Sequence, residues 1–269
     1  DNPALQAALA AGHVPIPVYI HAPEEEGPWV PGAASNAWLA RSLSALQADL
    51  RRRGSDLLIL RGDSLACLRQ LVAASGAPAV YWNRRYEPAI SARDTGIKQA
   101  LQQDGCQVRS FNGRLLAEPW QLMTGQGTPY KVFTPYWKAL SAQLQLQLPP
   151  TAVAPAQLPS LPCLALPGKG ESAIQALGLS PALGWDAGFW ERFEPGEAGA
   201  HEALETFTDG ALSGYLGQRD LPDRTGTSLL SPHLHFGEIA PWRIANSINE
   251  LRNANNEVDV AGYIRQLAW

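Results

Sequence analysis

With 269 residues, 45% of them hydrophobic and 17% charged, the chain holds one large domain or two ordinary ones and is a core-forming sequence, not a disordered one. Its formal net charge of −4 excludes a basic nucleic-acid coat over the whole chain, while leaving room for a local basic groove. Cys67, Cys106 and Cys163 lie far apart with no CxxC, which excludes a zinc ribbon and a disulfide framework and fits a reducing cytoplasm; no run of about 18 apolar residues and no signal peptide is visible, so no membrane partner is expected.

The segment Pro3–Ala10 reads as a helix with proline in its first turn. A sheet domain that opens on a helix is expected to have lost the strand before it. Ile16, Val18 and Ile20 then alternate within Pro15–His21, the pattern of a half-buried strand. Leu39, Leu43, Leu46 and Leu50 mark one helix face that ends in Arg51-Arg52-Arg53-Gly54, cations and glycine where a helix C-terminus favours them. Leu57–Leu60 is a continuous apolar run, as in a parallel strand buried on both faces. Leu65, Leu68, Leu71 and Val72 make the next helix, Ala79–Trp82 the next strand, and Ile90, Ile97 and Leu101 the helix after it. Gln107–Phe111 is a further, less apolar strand placed nearer an edge. Such alternation predicts an α/β domain with a right-handed, doubly wound parallel sheet, Rossmann-like, over residues 1–124. Ligands of such sheets bind beyond the carboxyl ends of the strands, which here carry His21, Arg61-Gly62-Asp63 and Asn83-Arg84-Arg85. Neither GxGxxG nor GxxxxGK[ST] is present.

From residue 125 to 195 proline recurs and periodicity fades, the texture of an interdomain connector. Helical spacing returns from 196 to 269. Leu204, Phe207, Ala211 and Tyr215 share a face; Pro241 opens a helix carrying Ile244, Ile248 and Leu251; Val260, Ile264, Leu267 and Ala268 follow. No strand signal appears here, so the second domain is all-helical and incomplete. The chain runs to Trp269 with no Gly, Asn or Pro to stop the last helix, so an internal piece of a longer protein is expected. The alternative is a natural terminal helix that frays.

One helical-domain segment carries chemistry. Thr227, Ser228 and Ser231 place three hydroxyls within five positions after Gly226. Where a helix starts beside them, hydroxyls and free N–H groups together bind a diphosphate without a lysine; the plainer reading is an ordinary helix cap. His233 and His235 lack the i, i+4 spacing of a metal pair and read as packing or hydrogen-bonding residues, so no metal is expected. Arg219 and Arg224 flank the loop, and their plainer reading is solvated surface.

Over essentially its whole length the chain resembles the DNA photolyase/cryptochrome family. The resemblance rests on Asp1–Leu5, Ala34–Leu39, Trp82–Pro88 with Ala92–Asp94, Tyr130–Tyr136, Thr225–Leu234 with Phe236–Pro241, and Tyr263–Trp269, in that order and spacing. It implies that residues 196–269 begin an FAD-binding domain holding FAD folded back on itself. Tyr215, Thr227, Ser228, Leu229, Leu230 and Ser231 match positions that contact FAD, mostly at the diphosphate. Tyr263 stands where the family often has a Trp beside the flavin and adds a hydroxyl. Arg219 matches a position on DNA phosphate; Gln266 and Trp269 match catalytic and DNA-contacting positions in the lesion pocket, with Trp269 stacking on the flipped dimer. The activity implied is light-driven electron transfer from reduced flavin to a cyclobutane pyrimidine dimer in damaged DNA, by a monomer. The alternative is a blue-light photoreceptor of cryptochrome type.

Three departures from the family pattern bear on this. Gln266 replaces a frequent Glu and carries no charge. Ala89 and Ile90 stand where folate-binding members carry polar and acidic ligands, so a second, antenna chromophore would not be folate. Residues 200–269 hold five Arg and no Lys against nine Asp and Glu, so a basic DNA rim is not expected in this stretch.

Overall fold

The computed structural model describes residues 2–164 and 171–268. Two compact units divide the chain, each discontinuous in sequence: residues 2–111 with 154–196 form an α/β unit, and residues 112–153 with those from 197 onward form a helical one.

In the α/β unit, α1 (Pro3–Ala10) starts under an Asn2 cap whose side chain accepts from the Leu5 N–H, with proline in the first turn. There follow β1 (Val18–His21), α2 (Ala33–Arg52), β2 (Leu58–Arg61), α3 (Ser64–Ser75), β3 (Ala79–Asn83), α4 (Pro88–Gln103) and β4 (Gln107–Phe111). Asp63 caps α3 at Ala66 N, and Gly76 ends it in the left-handed region. The strands pair in parallel as expected, Val18 opposite Leu58 in β1–β2 and Ala79 opposite Gln107 in β3–β4. Among the described residues these are two separate two-stranded ladders.

Alternate residues of the strands feed opposite layers. Tyr19, Leu57 and Ile59 pack with Ala40, Leu43 and Leu50 of α2. Val18, Ile20, Leu58 and Leu60 pack with Cys67 and Leu71 of α3. Val80, Trp82 and Val108 continue that second layer under Leu68, Ile97 and Leu101. On α2 the inward position falls to Gln47, 2% exposed, and Leu46 points outward at 46%. Leu46 was expected inside on spacing. Gln47 wins the place because its amide donates to the Leu57 carbonyl, satisfying both buried groups.

The stretch read from its prolines as a connector is partly helical: it contains α5 (Phe133–Gln147), whose Leu140 and Leu144 are buried in the helical core, and α6 (Glu171–Gln175), whose Ile174 packs on the α/β unit. The helical unit continues with α7 (Glu197–Gly210), α8 (Tyr215–Gln218), α9 (Ser231–Phe236), α10 (Pro241–Glu250) and α11 (Glu257–Leu267). Leu204, Phe207, Ala211 and Tyr215 do share one core, but no single helix carries them. Helix α7 ends at Gly210 and the chain enters α8 through Gly214, whose φ of 100° only glycine adopts cheaply. Leu251 lies past the end of α10 and is 47% exposed, so it does not extend the Ile244–Ile248 face.

Candidate functional site

The residues singled out in the helical unit converge along one face of α11. Asp259, Gly262, Tyr263 and Gln266 follow i, i+3, i+4, i+7 spacing, which stacks them in a line. At its N-terminal end the Asp259 carboxylate takes the N–H of Gly214 on one oxygen and that of Leu216 on the other, both at 2.9 Å. Those are amides that open α8 and have no helical partner of their own. Gly262 comes next: a Cβ there would sit 2.7 Å from Leu216 Cδ2, so α8 approaches α11 only because that side chain is absent. The ring of Tyr263 lies 5.1 Å from that of Tyr215, edge to face, and 4.6 Å from that of Phe207. At the C-terminal end, Arg219 Nη1 donates to Gln266 Oε1 at 3.4 Å, and its guanidinium lies 5.7 Å from the centre of the Tyr215 ring.

The hydroxyl loop joins this line through Tyr263, whose phenol donates to Ser228 Oγ at 2.8 Å. Burial pushes that phenol up to about 12. Gly226 is wedged against α8, where a Cβ would meet the Gln218 backbone at 2.6 Å. Leu229 has φ of 56°, the one positive φ outside glycine among the described residues. An ordinary side chain pays for that conformation. Leu230 follows in the right-handed region. A left-handed residue followed by a right-handed one turns successive N–H groups to the same side, a concavity suited to an anion. Thr227 and Ser231 are exposed and Ser228 half-buried, so all three hydroxyls are within reach of a ligand. Leu230 is 1% exposed in the core, and its N–H addresses Ser228 Oγ at 3.4 Å.

Behind the loop, His233 Nδ1 and Glu238 Oε2 meet at 2.6 Å, both buried, and Glu238 N–H bonds the His233 carbonyl, closing α9 on itself. His233 is thus a hydrogen-bonding core residue. Asp259, Gly262 and Glu238 were missed in the sequence. Glu257 and Asp259 in the first turn of α11 read as dipole partners, and only the distant Gly214 and Leu216 amides reveal what Asp259 holds. Trp269 lies outside the described residues.

In the α/β unit, several groups at and near the strand ends hold one another. Arg85 pairs with Glu26 at 2.6 and 2.8 Å, Arg93 with Glu25 and Asp94, and Asn83 with Asn2 and the Ala4 N–H. Burial and then Arg61 lower the pKa of His21. Ile90 is fully buried.

The donor set on the helical unit fits a dinucleotide diphosphate: three hydroxyls of Thr227, Ser228 and Ser231 beside a strained Leu229, with no cation needed. A family model described as DNA photolyase matches residues 1–156. A deoxyribodipyrimidine photo-lyase of Agrobacterium fabrum is 40% identical over 270 residues, covering 100% of this chain and 54% of the relative. Cryptochrome-1 of Arabidopsis thaliana is 36% identical over 281 residues, 100% of this chain and 37% of the relative. Among solved structures, a bacterial class III photolyase from Agrobacterium tumefaciens superposes with a TM-score of 0.90 at 38% identity, over 100% of this chain and 54% of that one. A cryptochrome of Synechocystis sp. PCC6803 has the same fold, with a TM-score of 0.82 at 21% identity, over 99% of this chain and 56% of that one. The chain therefore spans about half the length of the photo-lyase it matches.

Proposed function

The chain belongs to the DNA photolyase family, and from that premise we propose that it is part of a light-driven enzyme that repairs cyclobutane pyrimidine dimers in damaged DNA with FAD. The observation that carries this reading is the Tyr263–Ser228 bond. It joins two motif segments 35 residues apart in the chain, so that hydroxyl loop and α11 make one site. FAD, when bound, would supply the light-excited electron that opens the cyclobutane ring. Thr227, Ser228 and Ser231 would hold its diphosphate with their hydroxyls. Tyr263 and Tyr215 would wall the pocket as a packed aromatic pair. Arg219 would neutralise a DNA phosphate while turning the Gln266 carbonyl toward itself. A guanidinium has donors only, so the Gln266 NH2 is left to face a pyrimidine carbonyl. Trp269, three positions further along the sequence, would stack on the flipped-out dimer, an interaction worth about 1–3 kcal/mol per base.

The test uses full-length protein with bound FAD and DNA carrying one thymine dimer. Blue light should remove the dimer, measured by chromatography of the digested DNA. A second reading, a cryptochrome-type photoreceptor, draws on the uncharged Gln266 and the plant cryptochrome relative. Flavin that responds to light while the dimer persists would favour it. Any second chromophore is proposed not to be folate, because Ile90 is sealed in the core and offers no polar contact. Mass spectrometry of chromophores released from full-length protein should find no stoichiometric folate.

A further inference from the structure

Ser228 stands where the loop meets α11, and its hydroxyl has two lone pairs and one proton. The Tyr263 phenol donates to one lone pair at 2.8 Å, and the Leu230 N–H addresses the same oxygen at 3.4 Å. The phenol is the more acidic of the two hydroxyls, which makes it the donor. Its ring has no freedom to leave, because Phe207 and Tyr215 pack against it at 4.6 and 5.1 Å between ring centres. With both lone pairs engaged, one capacity of Ser228 remains, its own O–H. Thr227 and Ser231 are exposed hydroxyls that rotate freely between donating and accepting.

We propose that Tyr263 is a positioning residue whose phenol makes Ser228 an obligatory hydrogen-bond donor, aimed at an acceptor-only group, the diphosphate of a bound dinucleotide. The inference rests on the reading of the 227–231 loop as a diphosphate site, and it goes beyond that reading in assigning the phenol a function separate from aromatic packing. A serine fixed in this way rejects cations and donors, so the site is polarised for phosphate before any ligand arrives. The strained Leu229 backbone helps, since it brings the Leu230 N–H round to the Ser228 oxygen. Burial, which pushes the phenol up to about 12, keeps its proton in place throughout the neutral range.

The experiment is a double-mutant cycle on full-length protein stripped of flavin, with FAD affinity read by fluorescence titration and ADP as a second probe. Tyr263→Phe keeps the ring and removes the hydroxyl; Ser228→Ala removes the receiver. Each should weaken FAD and ADP by roughly ten- to a hundred-fold, the worth of one hydrogen bond to a charged group. The double variant should be no weaker than the worse single one, because the two act through one proton. Should Tyr263→Phe fail to fold in a thermal melt, Tyr263→Met, which fills the space with a flexible side chain and carries no donor, supplies the same comparison. If Ser228→Ala weakens binding while the Tyr263 variant binds as wild type, or if the two losses multiply, the positioning role is overturned and the diphosphate reading stands. If neither variant changes FAD or ADP affinity, the diphosphate reading falls and the proposal with it.

Discussion

Asp259 shows how much one side chain fixes in this fold. Its two oxygens each take one backbone N–H at the start of α8, and α8 carries Tyr215 and leads directly into Arg219. Asp259→Ala leaves two half-buried amides without acceptors. It should cost about 1–3 kcal/mol of stability in a denaturant melt, from the range for lost caps and charged hydrogen bonds. Asp259→Asn, with one carbonyl oxygen, should recover part of that. The residue is silent in the sequence because its partners are 43 and 45 positions away. The hydroxyls of Thr227, Ser228 and Ser231 were legible because three in five positions after a glycine is a local pattern. What local pattern could not give is the direction of the Ser228 proton, which depends on a tyrosine from a distant helix.

Between elements, the contact of α8 with α11 depends on a missing methyl group. Gly262→Ala would place a Cβ 2.7 Å from Leu216 Cδ2 and 2.9 Å from its Cγ. Overpacking of this kind costs about 1–3 kcal/mol, against a gain of about 1 kcal/mol for replacing glycine inside a helix. The single variant should therefore lower the melting temperature. In a Leu216→Ala background the clash disappears, and the same Gly262→Ala change should raise it; equal effects in both backgrounds would show that the two side chains do not meet. At this scale the strands were the most legible elements, because an apolar run such as Leu57–Leu60 has few other uses. The α5 helix was not legible, because prolines on its C-terminal side and repeated glutamines hide Leu140 and Leu144, the two residues that anchor it. The spacing of Leu204, Phe207, Ala211 and Tyr215 identified a true common core while hiding a helix break between two glycines, since periodicity reports which side is buried and not whether the helix is continuous.

For the whole molecule, alkaline pH should act on both units through buried phenols. Burial, followed by Glu26, raises Tyr19 to about 12 in the α/β unit, against the opposing pull of Arg85; burial raises Tyr263 to about 12 in the helical unit. The folded state then binds more protons than the unfolded state between about pH 10 and 12, so stability falls as pH rises through that window, by about 1.4 kcal/mol per pH unit for each phenol. Denaturant melts at intervals across the window should show the decline, and Tyr263→Phe should lessen its slope. The division of the chain into units has a different consequence, one for biosynthesis. Each unit is built from two separated stretches, so the polypeptide passes back and forth between them instead of finishing one before starting the other. As the chain leaves the ribosome, the α/β core still lacks Leu158, Ile174, Leu177 and Leu179 when β4 emerges, and it gains them only after α5 has been made and left waiting for α7. No single stop codon releases either unit by itself. A gene truncated after residue 124 should yield an aggregating product, and one truncated after residue 196 a more soluble one, measured by the soluble fraction on expression; an equally soluble shorter product would mean the late segment adds nothing to the early core. Domain swapping or recombination at the proline-rich stretch would cut through both cores at once, so a chimaera joined there should lose both.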